Sequence, residues 1–127
     1  MTVNNQIDLE NNLIVRTISG ELTLPDILAA FNDSLTDEDF SKDMNVIWNF
    51  NDADISVGTT DEILEIIDYI KNSMDKRGSD YKIALVAPEE LSFGLSRMFA
   101  SYGSELPLSI GVHRSIDDAY GWIKTEK

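Results

Sequence analysis

At 127 residues the chain, 1–127, is sized for a single domain that can bury a core without covalent staples. It has no cysteine and one histidine, His113, which excludes structural disulfides and thiolate metal sites and leaves little for a histidine-based metal site or a catalytic dyad. Lys plus Arg number 10 against 23 Asp plus Glu, and the resulting net charge of −13 repels phosphate backbones and anionic lipid surfaces.

Nucleic-acid and membrane-surface roles are therefore disfavoured. The acidity reads as solubility and, more sharply, as attraction to a basic partner. Residues 1–8 show neither a basic segment nor an apolar run of the signal-peptide kind. No apolar run is long enough to span a bilayer, so a cytoplasmic protein is expected.

In chain order, Gln6 to Leu9 and Leu13 to Ser19 read as two strands joined at the turn-forming Glu10-Asn11-Asn12, with Gly20 closing the second. Thr23-Leu24-Pro25-Asp26 is a helix start, and Leu24, Ile27, Leu28, Phe31 and Leu35 follow at helical spacing, fading through Asn32-Asp33-Ser34. An acidic connection follows, with Phe40 as its anchor. Met44 to Phe50 is nearly continuous in apolar character, as in a strand covered on both faces. Asn51 to Gly58 reads as a polar loop. Ile63, Ile66, Ile67, Ile70 and Met74 mark the next helix, with Lys71, Lys76 and Arg77 complementing its end and Gly78 stopping it. Tyr81 to Ala87 is a strand, and Glu89 to Tyr102 a helix with Leu91, Leu95, Met98, Phe99 and Tyr102 as core face. Leu108 to Val112 is a last strand, and Ser115 caps a last helix whose face is Ile116, Ala119, Tyr120 and Ile123. The pattern is ββαβαβαβα, an α/β fold with a small mixed, mainly parallel sheet packed by helices.

In such sheets ligands gather at the carboxyl ends of the strands, but neither a phosphate-binding loop nor a dinucleotide fingerprint occurs there. No cofactor and no metal site is expected. Asp52 and Asp54 are paired acids of the kind that bind Mg²⁺, and equally ordinary turn residues. Thr59 and Thr60 stand at a helix start, as caps or as phosphoacceptors. Phe93, Gly94 and Arg97 lie off the expected core face. They read as a recognition patch with Arg97 stacked on Phe93, or as a surface pair beside a packing glycine. Trp48 and Trp122 read as core and core-edge residues, and His113 as a strand-end polar residue.

Three stretches carry a resemblance. They are Ile83-Ala84-Leu85-Val86-Ala87-Pro88-Glu89-Glu90, then Phe93-Gly94-Leu95-Ser96-Arg97-Met98-Phe99, then Val112 to Ile123 with its Val-x-Arg strand end and Ala-x-x-Trp-Ile helix. Together they resemble the small bacterial SpoIIAA-like proteins, which belong with STAS domains and share a broad similarity of fold with CRAL-TRIO lipid carriers. The resemblance implies a small mixed sheet packed by helices and no enzyme activity. In anti-sigma-factor antagonists of this fold a serine at the start of the second helix is phosphorylated and the phosphate blocks binding. The matching stretch here is Gly58-Thr59-Thr60-Asp61, which lacks both the serine and the following glycine of the Asp-Ser-Ser-Gly form.

The expectation is a cytoplasmic, non-catalytic regulatory module that contacts a protein partner through residues 52–60 and the helix that begins there. The alternative is a carrier of a small apolar or lipid-like ligand, with Phe93 and Arg97 near the pocket mouth and Arg97 holding an acidic head group. A homodimer through sheet edges or helix faces is compatible with either.

Overall fold

The computed structural model describes residues 2–55 and 59–125. Strands β1 (Thr2–Asp8) and β2 (Leu13–Leu22) form the expected antiparallel hairpin. Its turn is held by Asp8, whose carboxylate accepts from the Asn11 backbone N–H at 3.2 Å and from its amide at 2.7 Å. Leu9, expected inside a strand, belongs to this turn and is exposed.

From β2 onward the chain alternates strand and helix: α1 (Leu24–Leu35), β3 (Asn45–Ile55), α2 (Thr60–Asn72), the short α3 (Met74–Arg77), β4 (Lys82–Val86), α4 (Glu90–Tyr102), β5 (Ser109–His113) and α5 (Ile116–Ile123). The five strands lie in the order β1-β2-β3-β4-β5, and β2 to β5 are parallel. Each crossover advances in the same direction. Right-handed connections therefore stack α1, α2 and α4 on one face of the sheet. No crossover follows β5, and α5 folds back over the other face.

Two cores result. Ile14, Ile18, Val46, Trp48, Phe50, Ile83 and Leu85 face the three-helix layer and meet Phe31, Ile63, Ile67 and Ile70. Leu13, Ile47, Ala84 and Val86 face α5 and meet Ala119 and Ile123. The central strands are thus covered on both sides, as the apolar run through Met44–Phe50 requires.

Further boundaries differ from the sequence reading, among them the helix read through Met74, which breaks at Ser73 into α2 and α3. Gly20 does not close β2. It takes φ +81° and the strand continues to Leu22. Nor does β3 end at Phe50. Beyond a bulge opposite Thr17 and Ser19, it pairs with β2 as far as Leu22↔Ile55, because the long β2 offers it backbone partners. The hairpin's first strand begins earlier than Gln6, and α1 persists to Leu35 because Ser34 turns its hydroxyl to the Phe31 carbonyl at 2.8 Å.

The core face of α4 is also rotated. Ser92 and Ser96 are buried, whereas Leu91 is 68% and Tyr102 45% exposed. The Ser92 hydroxyl donates to the Glu89 carbonyl at 3.1 Å, so its polarity is satisfied within its own helix and its small volume can face the sheet.

Candidate functional site

The small side chain of Ser96 on α4 borders an incompletely filled part of the three-helix core. A cavity of about 90 Å³ lies between the sheet and α1, α2 and α4. Leu22, Trp48, Phe50 and Leu85 of the sheet and Ile27, Phe31, Ile63, Leu95 and Phe99 of the helices form its apolar wall, and Ser96 lines it beside them.

Arg16, Arg77 and Tyr81 also line it, as does Tyr69, whose hydroxyl donates to Asn32 Oδ1. Arg16 takes the inward position of β2 between Ile14 and Ile18 and is 2% exposed. Its Nε donates to Asn5 Oδ1 on the paired strand at 2.9 Å, and its Nη2 to Ser34 Oγ at 2.7 Å. Its Cζ stands 4.3 Å from the ring centre of Trp48, its register partner on β3. Burial, reinforced by the charge of Arg77, pushes the Arg16 pKa down to about 9.

Arg77 ends α3 and is also 2% exposed. Its guanidinium lies 3.8 Å from the Tyr81 ring centre and 5.5 Å from that of Phe40. Nη2 donates to the Met44 carbonyl at 2.6 Å. The turn that follows is fixed by Asp43, whose Oδ1 accepts from the N–H groups of Ser79 and Asp80 at 2.9 and 3.0 Å. Gly78 there takes φ +102°, and a Cβ would collide with the Asp43 carboxylate. Burial lowers the Arg77 pKa and raises that of the fully buried Tyr81, whose phenol therefore keeps its proton.

Among the described residues neither arginine forms an ion pair. Asp33 and Asp43 attract them only at longer range. Arg77 Nη1 and the Tyr81 hydroxyl are buried without any hydrogen-bond partner. Two buried cations and two orphaned donors beside an apolar void form a cationic end at the start of β3 and β4. That is the opposite edge of the sheet from the strand carboxyl ends.

No family model and no curated protein matches the chain. Among solved structures it is similar to an uncharacterized protein from the DUF3478 family with a SpoIIAA-like fold, from Shewanella loihica PV-4. The two share 13% sequence identity and superpose with a TM-score of 0.58 over 96% of this chain and 92% of that one. The fold is SpoIIAA-like. At that identity the likeness concerns the architecture.

On this SpoIIAA-like frame the residues singled out from sequence fall in three separate places. Asp52 and Asp54 are not in a loop. They are exposed β3 residues two apart, so both project from one side, away from the Ala53 that packs on the core. No group of three metal-ligating side chains occurs among the described residues. Ser56, Val57 and Gly58 of the expected loop lie outside the described residues.

Thr59 and Thr60 are exposed at the start of α2. Thr59 caps the helix as expected: its hydroxyl accepts from Glu62 N–H at 3.2 Å and donates to Glu62 Oε1 at 3.0 Å.

The α4 patch is corrected in three respects. The cation over Phe93 is Arg114, at 3.7 Å, which also pairs with Glu90 at 3.3 Å and donates to the Pro88 carbonyl at 3.2 Å. Arg97 is exposed and does not line the cavity. Gly94 answers no packing need, because a Cβ there would meet nothing within 4 Å.

The cationic end was missed from sequence, though a signal exists. Arg16 occupies the inward position in the alternation Ile14-Arg16-Ile18, and Arg77 continues the inward spacing of Ile70 and Met74. Arg77 read instead as a helix-end charge.

Proposed function

We propose that this chain is a non-catalytic binding module that takes a small amphipathic ligand into the cavity under α1, α2 and α4. The observation that carries the reading is the apolar cavity lined by two buried arginines without ion pairs. Desolvating a cation costs several kcal/mol, and an empty apolar space forfeits packing. A ligand with an apolar body and an acidic group offsets both. The carrier alternative thus gains support, with Arg97 replaced by Arg16 and Arg77 as the cationic groups. The non-catalytic part rests on the lone histidine, His113, which is packed against Trp122 with ring centres 5.3 Å apart. Native mass spectrometry of freshly purified protein tests the proposal. A retained small-molecule mass, or its return on incubation with alkyl-chain acids, is expected. A bare protein mass that no such probe alters refutes it.

A second reading, regulation through protein contact in the cytoplasm, is supported by the SpoIIAA-like fold and by the exposed hydroxyls of Thr59 and Thr60 at a helix N-terminus. No helix among the described residues is long and apolar enough to cross a membrane. A phosphate on Thr59 would occupy the capping oxygen and face the Glu62 carboxylate, so Thr60, outside the capping box, is the better acceptor. In this reading Thr60→Asp weakens capture of the partner from native lysate. Undiminished capture by both Thr59→Asp and Thr60→Asp argues against the switch.

A further inference from the structure

We propose that the cationic end of the cavity binds the carboxylate of a short-chain monocarboxylic acid, with Arg77 and Tyr81 donating to its two oxygens and its chain lying against Trp48, Ile63 and Phe31. This rests on the cavity being a ligand site and adds the chemical class of the ligand.

The donor count selects the head group. Arg77 Nη1 and the Tyr81 hydroxyl are buried and unpartnered, in a protein interior where such groups are normally satisfied. The Tyr81 ring lies 3.8 Å from the Arg77 guanidinium, so the two residues are held together. Two open donor groups match the two oxygens of a carboxylate. A phosphate monoester would bring a third terminal oxygen and further negative charge into a cavity whose wall is predominantly apolar.

Arg16 contributes chiefly through charge, since Asn5 and Ser34 hold its Nε and Nη2 and leave only Nη1 as a remaining donor. Its positive field, added to that of Arg77, disfavours an amine and leaves a neutral alcohol unable to compensate either cation.

Volume selects the chain. About 90 Å³ is well below the roughly 150 Å³ of a cavity that takes six-carbon benzene, so a tail of about three to four carbons fills it. Among the described residues the only other polar side chains of the wall are Ser96 and Tyr69, and the Tyr69 hydroxyl is already bonded to Asn32 Oδ1, which favours a plain alkyl or branched alkyl acid.

Calorimetric titration of the full chain at about pH 7.5, where a carboxylic acid is ionised, tests the inference with pentanoate, pentan-1-ol and pentylammonium. Pentanoate is expected to bind roughly tenfold or more tighter than pentan-1-ol, and pentylammonium not at all. Tyr81→Phe removes a hydroxyl that has no hydrogen-bond partner among the described residues, so the variant folds normally. It is expected to weaken pentanoate about tenfold and leave pentan-1-ol unchanged. Arg77→Met, where it folds, abolishes the preference for the acid. If acid and alcohol bind equally, or if acid binding is untouched by Tyr81→Phe, the head-group assignment is overturned while the cavity remains a ligand site. If none of the three probes binds, both the assignment and the cavity reading are overturned.

Discussion

Gly94 sits in the interior of α4 with open space where a side chain would be. Glycine there costs conformational entropy without a packing return. Gly94→Ala is expected to stabilise the fold by about 0.5–1 kcal/mol, read from the urea midpoint. Gly111 is the contrary case, because a Cβ on it would lie 3.1 Å from the Trp122 ring and 2.9 Å from His113 Nε2. That close packing also governs His113, whose pKa is held below the ordinary value of 6.5 by burial, with Asp118 opposing. The folded state therefore keeps His113 neutral while the unfolded chain takes up a proton. Stability is retained above about pH 6.5 and is lost as pH falls through that value. Comparing melting temperatures of wild type and His113→Asn between about pH 7.5 and 5 checks this. The variant should show a shallower decline on acidification.

At the scale of elements, α5 is the helix that no crossover positions. What fixes it is a buried lysine. Lys82 is 3% exposed, and its Nζ donates to the carbonyls of Trp122 and Thr125 at 2.8 and 2.7 Å and to Thr125 Oγ1 at 2.8 Å. A cation is thereby placed at the negative end of the helix, on the carbonyls of its last turn and of Thr125 just beyond it. Lys82→Met keeps the stem and removes the donors. It is expected to cost about 1–3 kcal/mol and to accelerate amide exchange in α5 more than in α2. The helices and strands themselves were legible, because each carries its own apolar period. Their ends were less so: β3 runs past Phe50 only because β2 runs past Gly20, and that extension belongs to the pair.

For the whole molecule, charge and burial oppose each other. The net charge of −13 is spread over the surface and repels itself, while Arg16, Arg77 and Lys82 are shut inside, the two arginines without ion pairs among the described residues. Raising NaCl from about 20 to about 300 mM should raise the melting temperature by screening that repulsion, with little effect on the buried arginines. A measured fall would show that exposed attractions, such as Arg114 with Glu90, outweigh the repulsion. An anionic ligand in the cavity would stabilise the same molecule by binding only its folded state.

The sequence by itself determined the order of elements apart from the short α3, the mainly parallel sheet with its antiparallel hairpin, the cap at Ser115, and a cap at Thr59 or Thr60, of which the structure selects Thr59. These depend on local spacing and on side chains three residues apart. Only the tertiary structure decided that α4 turns its serines inward, that Arg114 rather than Arg97 covers Phe93, and that Arg16, Arg77 and Tyr81 gather at one cavity. The physical reason is distance along the chain. Arg16 and Tyr81 are 65 positions apart, and no local preference states which inward-facing polar residues the stacking of strands will bring together.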